Sequence, residues 1–288
     1  MHDGKPMTRF TKAHACGNDF LIVEVVADTG SLDDARTLAI ALCARTTGVG
    51  ADGVEYLSWT GERSGTIRLY NADGSIAEIS GNGTRCVAAY MARTRSAAAG
   101  ETFTLATDAG SRECRIIATP ANGTYEIATR MGVPQVSPQT VYLDEEGIAV
   151  EGIAVSTGNP HFVIFVEDET FSAHGLTWQQ LGRAICFHPD FPGQTNVEFV
   201  YLRSRHEIAI RIFERGVGPT TSSGTGTCAT SAAAIATLGC APRLLVEAPG
   251  GVQRTEWHGP HDEILLTGPA AIIAHGEAFL PPPAGDSA

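Results

Sequence analysis

Two hydrophobic patterns alternate along the chain. Short apolar runs, FLIVEVV at 20–26 and HFVIFV at 161–166, read as strands. Each is followed by a mixed segment with helical spacing, LDDARTLAIALCAR at 32–45 and TWQQLGRAICF at 177–187. A glycine-containing loop and paired strands come next. Then a second helix is predicted in each case, RCVAAYMARTRS at 85–96 and CATSAAAIATLG at 228–239, almost wholly small and apolar. A helix without a polar face belongs in an interior, so each is expected inside a wrapping sheet. The segments TFTLATDAGSRECRIIAT and EILLTGPAAIIAHGEAFL alternate and carry β-branched residues, the mark of antiparallel strands.

The order of elements occurs twice because the sequence itself does. Sliding the chain by 143 places ALC at 41–43 on AIC at 184–186, VEY at 54–56 on VEF at 197–199, and RLYN at 68–71 on RIFE at 211–214. The same offset places Ser80-Gly81 on Ser223-Gly224 and Gly83-Thr84 on Gly226-Thr227. With a slip of one residue, GNDFLIVE at 17–24 also resembles GNPHFVIFVE at 158–167. The expected fold is α+β, two pseudo-symmetric halves, each a mostly antiparallel sheet wrapped around a central helix. The halves are expected at 8–125, joined by a C-terminal strand 270–281, and at 126–269, with a loose tail at 282–288.

The repeated turns, SGNGT and SGTGT, carry the chemistry. A helix N-terminus holds unpaired backbone N–H groups and a partial positive charge, and glycines let a ligand approach them. A carboxylate or phosphate suits such a mouth, although one copy alone would read as an ordinary N-cap. Two equivalent mouths led by Ser80 and Ser223 suit a reaction that removes a proton from one face of a carbon and returns one to the other, which is racemisation or epimerisation.

Charge and composition narrow the partners. The formal net charge of −12, without clustered Lys or Arg, argues against nucleic acid. No apolar run suggests a membrane span or secretory signal, so a cytoplasmic location is expected. Seven scattered cysteines without a CxxC pair read as reduced, mostly buried thiols, giving neither a disulfide framework nor a metal site.

The strings HACGNDFLIVE, GVGADGVEYL, RLYNADGSIAEISGNGTRC, STGNPHFV, TNVEF and FERGVGPTTSSGTGTCA, in order from about Phe10 to Pro269, resemble the diaminopimelate epimerase family. The resemblance implies two similar α/β halves with the site in the cleft between them. It also implies a PLP-independent activity, needing no cofactor, that interconverts LL- and meso-diaminopimelate for lysine and peptidoglycan precursors. By motif it assigns Asn18, Asn71, Asn159, Asn196 and Arg215 to the substrate, particularly its distal end. Gly81-Asn82 and Gly224-Thr225 are assigned to the α-carboxylate, and His161 and Glu214 to the flanks of the reacting centre. The partner implied is a small-molecule amino acid, with no nucleic acid and no membrane; a homodimer is left open.

One departure strikes the chemistry. The family uses two cysteines as its acid–base pair, and here both positions are serine, Ser80 and Ser223. A thiol can be drawn into the working range at a helix N-terminus, whereas a hydroxyl needs a neighbouring base. Three readings are open: an epimerase whose cysteines have been exchanged for serine, a natural member running slow epimerisation or another proton transfer such as dehydration or isomerisation, and an amino-acid-binding protein without turnover. Cys86 and Cys228, a few residues on, are expected to pack rather than to replace the missing thiols.

Overall fold

The computed structural model describes residues 7–25, 32–119, 122–144 and 147–279. The expected tail at 282–288 lies outside them. Contacts divide the chain into two compact units, Met1–Ile127 with Pro269–Ala288, and Ala128–Gly268.

The first unit contains β1 (Met7–Ala15), β2 (Asn18–Glu24), α1 (Leu32–Cys43), β3 (Gly53–Gly61), β4 (Ser64–Asn71), β5 (Ile76–Ala77), α2 (Gly81–Thr94), β6 (Thr102–Thr107) and β7 (Gly110–Ala118). Next, β8 (Thr124–Arg130) runs across the boundary. The second unit contains β9 (Gln135–Leu143), β10 (Ile148–Ser156), β11 (Pro160–Val166), α3 (Trp178–Cys186), β12 (Asn196–Ser204), β13 (Glu207–Glu214), β14 (Gly218–Thr220), α4 (Gly224–Leu238), β15 (Arg243–Ala248) and β16 (Gly251–Glu256). Finally β17 (Leu265–Phe279) pairs with β16 through Leu265–Thr267, and its later residues return to β1.

The duplication read from the sequence is reproduced in the pairing. In the first unit β1–β2 is antiparallel, β2–β3 parallel, β3–β4 antiparallel, β4–β6 parallel and β6–β7 antiparallel. In the second, β10–β11, β11–β12, β12–β13, β13–β15 and β15–β16 repeat that series of directions. Register refines the alignment. The pair Val54↔Tyr70 recurs as Val197↔Phe213, keeping the offset of 143. Across the parallel ladders, however, Phe20↔Gly53 recurs as His161↔Asn196, so Phe20 corresponds to His161 rather than to the like-named Phe162. Side-chain likeness misled the sequence alignment here, because what fixes equivalence in a sheet is the ladder.

The second helix of each pair is enclosed, as its composition requires. Gly81–Ala89, Met91 and Ala92 of α2 are buried, and Cys86, Val87, Ala88 and Met91 pack among Phe20, Ile22, Leu57, Phe103 and Leu105. In α4 every residue from Gly224 to Ala234 is buried. The first helix of each pair packs elsewhere: Ala39 and Leu42 of α1 meet Leu21, Val54 and Tyr56, and Leu181 and Ile185 of α3 meet Val197, Phe199 and Phe213. With helices on both faces, β3 and β12 are buried continuously over Gly53–Leu57 and Asn196–Val200.

Candidate active site

Ser80 and Ser223 cap the two enclosed helices. Both have extended backbones, and each hydroxyl accepts the N–H of the second glycine, Gly83 at 3.0 Å and Gly226 at 3.1 Å. The helices therefore begin at Gly81 and Gly224 and not after the threonines, where the apolar pattern had placed them. A side-chain acceptor at the N-cap starts the helix one residue later, whatever the hydropathy of the first turn. Thr84 and Thr227 tighten that turn by donating to the Ser80 and Ser223 carbonyls, both at 2.7 Å. Ser80 is half-buried and Ser223 buried.

Each mouth has an asparagine bonded to its first turn. Turns with left-handed glycines, Gly17 (φ 81°) and Gly158 (φ 103°), deliver Asn18 and Asn159. Asn82 Nδ2 donates to Asn18 Oδ1 at 3.2 Å, and Asn159 Nδ2 donates to Thr225 Oγ1 at 3.4 Å. Asn18 also donates to Asp52 at 2.7 Å, while Arg85 donates to Asn82 Oδ1 at 2.6 Å. Asp52 and the neighbouring Asp19 are tied to Arg45, and Asp19 also to Lys12. Burial works to raise the Asp19 carboxyl, but Lys12 and Arg45 outweigh it and hold it below its ordinary value.

The remaining predicted residues fall in two places. Asn71 ends β4 and donates to Ser75 Oγ within a tight turn. Asn196 Oδ1 accepts the Arg215 N–H at 2.9 Å and its amide donates to the Pro160 carbonyl, linking three assigned or adjacent positions. Arg215 reaches the Gly193 carbonyl at 3.3 Å, and Glu214 pairs with Gly218 at the start of a hairpin. His161 is a buried residue of β11. Its Nδ1 lies 2.7 Å from Glu198 Oε1 and its Nε2 lies 2.9 Å from Asn159 Oδ1.

Glu198 and its equivalent Glu55 were not singled out from the sequence. Both lie on the central strands, facing the enclosed helices, and both are buried. A Cβ built on Gly83 would overlap Glu55 Oε1, and one on Gly226 would lie 2.8 Å from Glu198 Oε1. The second glycine of each repeated turn thus makes room for the protein's own carboxyl rather than for a ligand. Glu198 has His161, whereas neither oxygen of Glu55 has a hydrogen-bond partner. The register explains the difference: the ladder position of His161 is filled by Phe20 in the first unit, and a phenyl ring offers Glu55 nothing. Burial alone pushes the Glu55 carboxyl up to about 8. The signal available in sequence was a glutamate between apolar neighbours, in VEY and again in VEF.

Residues 10–136 and 153–273 match the family described as diaminopimelate epimerase. The chain belongs to this family. It is 36% identical over 283 residues to a diaminopimelate epimerase of Microcystis aeruginosa, covering 93% of this chain and 97% of that one. It is 37% identical over 278 residues to that of Desulforudis audaxviator, covering 93% and 98%. Among solved structures, a hydroxyproline epimerase from Agrobacterium vitis superposes with a TM-score of 0.72 at 15% identity, covering 98% of this chain and 95% of that one. A Bacillus anthracis protein of the PhzF family superposes at 0.69 with 16% identity, covering 94% and 99%. The protein is an isomerase of the racemase and epimerase kind.

Cys86 and Cys228, expected to pack, lie inside the enclosed helices and are fully buried. All seven cysteines are buried. Burial pushes the Cys86 thiol far above its ordinary range, the opposite of what a proton-abstracting thiolate needs. Among the described residues no cluster suits a metal ion, and no helix is long and apolar enough to cross a membrane.

Proposed function

We propose that this chain binds diaminopimelate and exchanges its α-proton slowly, with Ser80 and Ser223 in the positions of the family's thiol pair. One observation carries the reading: both serines cap buried, glycine-opened helices, and each first turn is bonded to an asparagine assigned to the substrate. The helix N-termini suit the α-carboxylate, whose charge they attract. Asn196 and Arg215, bonded to one another, suit the distal end. Each serine stands where the family has a proton-transferring thiol, so each is assigned the taking or the returning of an α-proton.

A hydroxyl is a weaker base than a thiolate, so turnover is slow. In D2O the chain incorporates deuterium at the α-carbon of LL-diaminopimelate, and replacing both serines by cysteine raises the rate by about a hundredfold or more. Equal rates before and after the replacement refute the reading. Heat of binding without any deuterium incorporation identifies a binding protein instead. Calorimetry on Arg215→Ala tests the distal contact: binding is weakened, and an unchanged affinity removes Arg215 from the site.

A further inference from the structure

A buried, unpartnered carboxyl lowers stability, because it has lost water and gained nothing in return. This chain keeps a buried carboxyl against the first turn of each enclosed helix, at equivalent positions of its two halves; Glu55 has no partner on either oxygen, whereas Glu198 has His161 on one. A Cβ on Gly83 would touch both Glu55 Oε1 and the Ser80 Cβ, the latter at 3.3 Å. A Cβ on Gly226 would lie 2.8 Å from Glu198 Oε1 and 3.3 Å from Ser223 Oγ. The carboxyl and the capping serine of each half therefore lie against the same glycine, on the same side of the first turn. Glu55 and Ser80 also line one small cavity with Glu78, Thr107 and Asp108. Each serine accepts its glycine N–H, and its O–H is a further donor, on the second side within 3.3 Å of Thr225 Oγ1.

We propose that Glu55 and Glu198 are positioning residues that hold the hydroxyl proton of Ser80 and Ser223 respectively. The inference rests on the serines being the proton-transfer groups. On the second side, Ser223 Oγ takes the α-proton as its hydroxyl proton passes to a Glu198 oxygen, and the electron pair of the broken C–H bond stays on the α-carbon. That carboxylate is steadied beforehand by His161. On the first side, where Ser80 is the donor, it gives its hydroxyl proton to an α-carbanion, whose pair forms the new C–H bond, and neutral Glu55 passes its own proton to Ser80 Oγ. Glu198 ends protonated and Glu55 ionised; the reverse reaction exchanges the roles.

The asymmetry assigns direction. A carboxyl with no partner stays neutral and suits the acid, while one bonded to an imidazole suits the base. The charged groups that line the Glu55 cavity are Glu78 and Asp108, and Asp108 is drawn towards Arg68 at 3.6 Å. Glu198 faces His161 alone among the charged and titratable groups to which it is bonded.

The experiment follows α-deuteration of LL- and meso-diaminopimelate by NMR from pH 5 to 9, for the full chain and for Ser80→Ala, Glu55→Gln and Glu198→Gln. With Glu55→Gln the exchange constant kcat falls about a hundredfold, KM and the calorimetric affinity stay unchanged, and the first-side limb of the pH profile disappears. Glu55→Asp, which keeps the acid and withdraws it, restores part of the rate and guards against a folding artefact. Glu198→Gln removes the opposite limb. If Ser80→Ala abolishes exchange while Glu55→Gln leaves both kcat and the pH profile intact, the inference is overturned and the proposed function survives. If Ser80→Ala leaves exchange untouched, or the full chain shows none, both fall.

Discussion

Replacing Glu55 by glutamine gives a stability change whose dependence on pH is fixed in advance. In the folded chain the Glu55 carboxyl sits near 8, against an ordinary value of 4.5, and burial is the cause. Between those values the folded state carries a proton that the unfolded chain has released, so stability falls as pH rises. The slope is about 1.36 kcal/mol per pH unit, and the full window amounts to ~5 kcal/mol as an upper bound. Glutamine cannot ionise and has no such slope. Its buried amide costs ~1–3 kcal/mol at every pH, which shifts the comparison without tilting it. Urea denaturation of both chains at half-unit steps from pH 4.5 to 8.5 measures the difference directly. At pH 5 the unsubstituted chain is the more stable; towards pH 8 the order reverses. A difference that stays constant across the range would mean that Glu55 reaches water or a partner when ionised, and the burial reasoning would be wrong.

Three further changes test the local physics. Ser80→Ala and Ser223→Ala each remove an N-cap acceptor and cost about 1 kcal/mol, a fall of about 2–4 °C in Tm by calorimetry; an unchanged Tm contradicts the capping role. Gly182→Ala in α3 adds helix propensity worth up to ~1 kcal/mol. Its Cβ would nevertheless lie 2.7 Å from the Phe213 Cβ, so overpacking of about 1–3 kcal/mol prevails and the variant melts lower. A higher Tm would show that the α3–β13 contact yields freely.

The sequence by itself determined the duplication, the four main helices and the family, because each is written in residues close along the chain: a repeated period, a run of small apolar residues, a string such as NADGS. The two serines were visible as the heads of helices for the same reason, since a cap and its amide are three residues apart. Tertiary structure alone decided what lies behind them. Glu55 meets Gly83 and Glu198 meets His161 across 28 and 37 residues of chain, through helix-on-sheet packing and a parallel ladder. Nothing local separates a glutamate that faces water from one that faces a helix mouth. The register of that ladder also decided that His161 supports one carboxyl while Phe20 leaves the other alone, because in a sheet the partner of a side chain is chosen by the neighbouring strand and not by the neighbouring residue.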